Sequence, residues 1–159
     1  MENKEILLKT EISIHRHRDR VAKHLAPIIE ELVNRAADHD DSKLREDELP
    51  AYASAQEAFE VTPFGTPEYQ AIKDKIMPTI KEHYRKNPHH PEHYENGISG
   101  MTLVDVIEML CDWASATKNH DVGSTMKKSL EFAIKKYNIS TDLASILYNT
   151  AKEFGMYNE

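Results

Sequence analysis

The strongest constraint on the fold is the spacing of apolar residues. They recur every three or four positions through most of the 159 residues, and hardly any stretch alternates long enough for a strand. Val21, Leu25, Ile28, Ile29, Leu32, Val33 and Ala36 form one such stripe on a helix predicted from about Asn3 to Ala37. Pro27 lies inside that stretch and, lacking a backbone donor, should kink or split it. A polar turn at Asp38–Ser42 follows, then a helix over Leu44–Phe59 interrupted at Pro50, then a loop at Thr62–Gly65. Pro67 is well placed to open a helix running to Lys86. Asn87–Gly100, with Pro88, Pro91, Gly97 and Gly100, reads as the longest loop. Thr102 and Asp105 are spaced as a capping box for a helix to about Thr117. Helices over Ser124–Tyr137 and Ser140–Phe154, the latter capped by Ser140, complete about six. The expectation is an all-α, single-domain bundle over residues 1–159.

Composition narrows the function classes. The length suits one domain with its own core. A formal charge of −7 argues against a nucleic-acid coat, which needs a basic face. No apolar run approaches the roughly 20 residues of a membrane span, and Met1–Thr10 is too polar for a signal peptide. A lone cysteine, Cys111, rules out an internal disulfide framework and a Cys-rich zinc site, and suits the reducing cytoplasm. The unusual count is nine histidines, four of them between His83 and His93.

Each histidine has a plain reading and a chemical one. His24 shares the stripe Val21–His24–Ile28, so its ring is expected to face the core, either satisfied by hydrogen bonds or as a metal ligand. His39-Asp40 falls in the turn after the first helix, where such pairs often serve as turn groups. His83 sits on the last turn of its helix, where a cationic ring also suits the helix dipole. His89, His90 and His93 lie in a loop that two prolines stiffen, as a site holding ligands in place requires. His15, His17 and His120 have no such context and read as solvated. The helix around Glu108-Met109-Leu110-Cys111-Asp112-Trp113 is apolar over more than half its circumference, leaving a narrow stripe of Asp105, Glu108, Asp112 and Ser115. Asp105 reads as part of the wet face, while carboxylates on a buried helix must be paired or metal-bound. Histidines and carboxylates without thiolates suit Mn, Fe, Co or Ni better than a structural zinc.

Taken as a set, His24, His39-Asp40 and Asp112 resemble the H…HD…D signature of the HD-domain metal-dependent phosphohydrolases. The string His39-Asp40-Asp41-Ser42-Lys43 is similar to a lysine-bearing version of the motif. The segment His83…His89-His90 is similar to the added histidines of two-metal members, although the Gly-Tyr-Pro motif of the cyclic-dinucleotide branch is missing. His-Asp-x-Ser-Lys, Asn87-Pro88-His89-His90-Pro91-Glu92-His93-Tyr94 and Glu108–Asp112 together resemble an uncharacterised HD-like family of bacteria and phages. The resemblance implies a helical bundle of HD-domain type, with a motif-bearing core at about 21–117 and C-terminal helices 124–154 packed on it.

The resemblance also implies a first ion held by His24, His39, Asp40 and Asp112, with Asp40 bridging to a second ion held by His83 and His89 or His90. One or two divalent transition-metal ions (Mn, Fe, Co or Ni, with Mg also possible) would activate water against a small phosphorylated substrate such as a nucleotide. Lys43 would neutralise phosphoryl charge, Arg85 or Lys86 would hold the rest of the substrate, and Glu48 and Glu108 would act as acid–base or supporting groups. Two other readings use the same residues: a di-iron oxygenase of HD type, and a non-catalytic helical protein of phage type that binds a nucleotide or partner. The Met- and Tyr-rich last helix is a candidate homo-oligomer interface.

Overall fold

A computed structural model describes residues 2–62, 66–119 and 125–159. Among them are six α-helices and no strand: α1 (Glu2–Asp38), α2 (Leu49–Val61), α3 (Pro67–Lys86), α4 (Leu103–Asn119), α5 (Met126–Lys136) and α6 (Thr141–Glu153). The all-α expectation is met. None of these helices is long and apolar enough to cross a membrane. The chain divides after Asp38 into α1 and a second unit, His39–Glu159.

α1 runs unbroken through Pro27. A proline there removes a single i→i−4 bond, and the turns on both sides carry the helix past it, so the expected split does not occur. Most residues of its apolar stripe are exposed, Val21, Leu25 and Ile28 at 41–49%, while Leu32 is half-buried; His24 is exposed.

In the second unit the helix expected from Leu44 is two pieces. A 3-10 turn covers Asp41–Leu44, and α2 starts at Leu49 with Pro50 in its first turn, where a missing donor costs nothing. Thr66 Oγ1 caps α3 by accepting from the Tyr69 amide. The segment 87–100 is more ordered than a loop, with 3-10 turns at Pro91–His93 and Gly97–Gly100. Ser140 caps α6 as expected, its Oγ accepting from the Leu143 amide. His120 and Ser124 lie outside the described residues, as do positions 63–65.

α4 organises this unit. One side contributes Val106, Met109, Leu110 and Ala114 to a core shared with Met126, Leu130 and Ala133 of α5, Ile139, and Leu147 and Ala151 of α6. The helix is less buried than its composition suggests, because Leu103, Ile107 and Cys111 form an exposed stripe. Its N-terminus is a reciprocal capping box. Thr102 Oγ1 accepts from the Asp105 amide at 3.2 Å, and Asp105 Oδ2 accepts from the Thr102 amide at 2.8 Å. Asp105 is therefore not part of a wet face. It is 1% exposed, and the same oxygen also accepts from the Tyr94 hydroxyl at 2.8 Å, tying the 87–100 segment to α4. Gly100 admits that tyrosine, since a Cβ there would stand 2.8 Å from Tyr94 Cβ.

Replacing Asp105 by alanine strands the Thr102 and Tyr94 donors. Asp105→Ala is expected to lose about 2–4 kcal/mol of stability, and Tyr94→Phe about 1 kcal/mol, read as a fall in the urea midpoint at constant m-value.

Candidate metal centre

Four elements of the second unit supply the candidate ligands. The turn after α1 places His39 and Asp40, and Asp40 adopts φ 61°, a left-handed conformation that aspartate tolerates better than most residues. The last turn of α3 supplies His83. The proline-flanked segment that follows supplies His89 and His90, and α4 supplies Glu108 and Asp112.

Asp40 is the hub, and its two oxygens face different partners. Oδ1 lies 3.1 Å from His83 Nε2 and 3.5 Å from His89 Nε2. Oδ2 lies 2.6 Å from Lys43 Nζ and 3.5 Å from His39 Nε2, which stands 3.7 Å from Asp112 Oδ1. Among the described residues, three groups of donors could hold an ion: Asp40, His83, His89 and His90; His39, Asp40 and Asp112; and His39, His89 and Glu108.

Burial decides which group is best prepared. Asp40 Oδ1 and the Nε2 atoms of His83, His89 and His90 are all buried, and none has a hydrogen-bond partner. Buried polar atoms normally find partners, so four unpaired ones pointing together need an explanation. Donors about 2.1 Å from a shared ion stand about 3.0–3.4 Å apart in octahedral or tetrahedral arrangements. The 3.1 Å from Asp40 Oδ1 to His83 Nε2 falls in that range, and the 3.5 Å to His89 Nε2 lies just above it.

The far sides of the His39, His83 and His89 rings are held. Glu108 Oε1 accepts from His39 Nδ1 at 2.9 Å and lies 3.0 Å from His89 Nδ1. His83 Nδ1 meets Ser42 Oγ at 2.9 Å, and Asn87 Nδ2 donates to Ser42 Oγ at 3.0 Å and to the His83 carbonyl at 2.7 Å. With Nδ1 of His39 and His89 protonated toward Glu108, their Nε2 lone pairs face the cluster, whereas His83 Nδ1 also lies 3.0 Å from the Asn87 amide nitrogen. Such outer partners fix tautomer and orientation in metal sites. Burial, followed by the neighbouring His89 and His83 rings, pushes His90 down to about 3, so it is a neutral donor at pH 7. Burial alone raises the Asp40 pKa, while the Lys43 ammonium on Oδ2 acts to hold it below the usual carboxylate range.

The remaining expected residues are accounted for individually. Glu48 is 2% exposed, with Oε1 taking Lys86 Nζ at 3.2 Å and Oε2 taking Ser42 Oγ at 3.4 Å. It therefore supports His83 from behind rather than facing a substrate. Lys86 also pairs with Asp47 and Glu82, and Arg85 grips both oxygens of Glu82. Both cations expected to hold substrate are thus committed to carboxylates. Lys43 alone of the expected cations touches the cluster. His93 bonds the Arg85 carbonyl through Nδ1 at 2.7 Å and joins none of the three groups. His24 lies on α1, in the first unit. Sequence reasoning passed over Ser42, Asn87 and Tyr94 as working groups. Asn87 was findable, because it follows His83 by four residues at the end of a helix.

The fold and this geometry define a class: all-helical proteins with a clustered His/Asp/Glu centre and no thiolate. The chain belongs to a family of unknown function, DUF5662, whose model matches residues 7–153. No curated protein and no solved structure matches it.

The His90 environment predicts a pH dependence for chelator-treated protein. A histidine held near 3 when folded and near 6.5 when unfolded contributes stability that is fully present above pH 6.5. That stability should fall as pH drops from 6.5 toward 3, by up to about 1.4 kcal/mol per pH unit. Urea unfolding across this range should show a shallower slope in His90→Gln.

Proposed function

We propose that this protein is a metal-dependent phosphohydrolase that cleaves a nucleotide or related phosphoester with a metal-activated water. The observation that carries the reading is the convergence of four buried, unpaired donor atoms: Asp40 Oδ1 and Nε2 of His83, His89 and His90. Three imidazole nitrogens and one carboxylate oxygen suit Mn, Fe, Co or Ni. His39 and Asp112 stand on the Oδ2 side of Asp40 and extend the set toward a second ion.

Ions bound there would lower the pKa of a bound water toward neutrality and polarise phosphoryl oxygens. The protein's own contribution is placement. Glu108, Ser42 and Asn87 hold the ligand rings, and α4 anchors Glu108 and Asp112 to the core. Lys43, with its side chain 36% exposed, brings a cation to the rim of the cluster where phosphoryl charge would lie. A single cation in an acidic protein suits a small phosphate better than a polyanion.

Untagged protein should retain one to two transition-metal ions per chain by elemental analysis. The same preparation should release phosphate from some member of a panel of nucleoside mono- and triphosphates, cyclic dinucleotides and alarmones when supplied with Mn, Co, Fe or Mg. His89→Ala and Asp40→Asn are each expected to lower turnover by about 100-fold or more. Wild-type metal content in a His39→Ala, Asp40→Ala double variant would overturn the assignment. Oxygen uptake by an iron-loaded protein without phosphate release would place the centre among oxygenases, and retention of a nucleotide without turnover would make it a binding protein.

A further inference from the structure

We propose that Lys43 gates the second metal position, occupying Asp40 Oδ2 as an internal cation until the phosphate of a substrate draws it away. The inference rests on the metal-centre reading above and adds to it how the two positions fill.

The two oxygens of Asp40 are not equivalent. Oδ1 faces His83 and His89 and is buried without a hydrogen-bond partner, so no protein cation contests that side. Oδ2 faces His39, whose Nε2 neighbours Asp112, and this oxygen already carries the Lys43 ammonium at 2.6 Å. An ion held by His39, Asp40 and Asp112 would need the same oxygen. It would displace Lys43 or sit against a like charge within a few ångströms, which costs much more near a partly buried carboxylate than in water. The first ion meets only the more distant effect of that charge.

Lys43 can leave. It is carried by a short 3-10 turn on a flexible four-carbon stem, its side chain is 36% exposed, and its ammonium lies 5.6 Å from the centre of the Tyr52 ring. A dianionic phosphate at the rim offers the ammonium a stronger partner than one shared carboxylate oxygen. Moving Lys43 onto phosphate frees Oδ2 at the moment a second cation is useful. The centre would then hold one ion at rest and two with substrate bound.

The test is a Mn²⁺ titration of the chelator-treated full-length chain, with free Mn²⁺ read by electron paramagnetic resonance, in the absence and presence of inorganic phosphate. Wild type should take one ion tightly and a second at least about tenfold more weakly. Lys43→Met should keep the first ion and bind the second at least about tenfold tighter than wild type does. Lys43→Arg, which preserves the charge, should behave as wild type. Phosphate should tighten the second ion by a larger factor in wild type than in Lys43→Met. Equal second-ion affinity in wild type and Lys43→Met, with the first ion retained in both, would overturn the gate alone. Absence of any tight ion in folded wild-type protein would overturn the metal centre and the gate together.

Discussion

The second unit is arranged around the ionised carboxylate of Asp40. Two imidazole rings face one of its oxygens, with His90 in the same donor group, while a lysine and a further imidazole meet the other. Burial of a carboxylate is unfavourable unless opposite charge or strong donors compensate. Here Lys43 supplies part of that compensation, and the imidazole Nε2 atoms face Oδ1 as lone pairs if their Nδ1 atoms carry the protons. That side is balanced best by a cation. The requirement accounts for Glu108 behind the rings, a carboxylate that accepts from Nδ1 of His39 and stands against Nδ1 of His89, while Ser42 and Asn87 hold the His83 ring in place.

The helical architecture was legible because period and punctuation agreed. Thr102 and Asp105 formed the capping box that their spacing predicts, Ser140 capped α6, and Pro67 opened α3. Prolines were harder to read, since the same residue breaks, starts or is tolerated by a helix depending on context. Pro27 and Pro78 lie within helices, whereas Pro50 begins one. The centre was legible in part. His39, Asp40, His83, His89, His90 and Asp112 do lie together, although they come from separate parts of the chain and no local pattern relates Asp40 to Glu108.

What could not be read was the direction of individual polar side chains. Asp105, Glu108 and Asp112 share one acidic stripe in the sequence but have three destinations. Asp105 is buried against Tyr94, Glu108 backs two histidines, and Asp112 stands beside His39 Nε2. Spacing of three and four residues gives a common helix face and leaves undetermined which neighbouring element each residue meets. Arg85 and Lys86 show the same limit. Their charge suggested substrate binding, and in the structure they pair with Glu82, Asp47 and Glu48.

The left-handed backbone at Asp40 has a consequence for how freely this sequence can vary. Position 40 must satisfy a positive φ and also supply a carboxylate with two oxygens directed to different sides. Glycine and asparagine accommodate the backbone but lack the charge, while glutamate has the charge but a poorer tolerance of that conformation and a longer reach. Aspartate alone among the twenty meets both demands. Any family member that keeps this centre and this turn is therefore confined at position 40 to one residue, whereas the groups behind the rings could be exchanged for other hydrogen-bond partners.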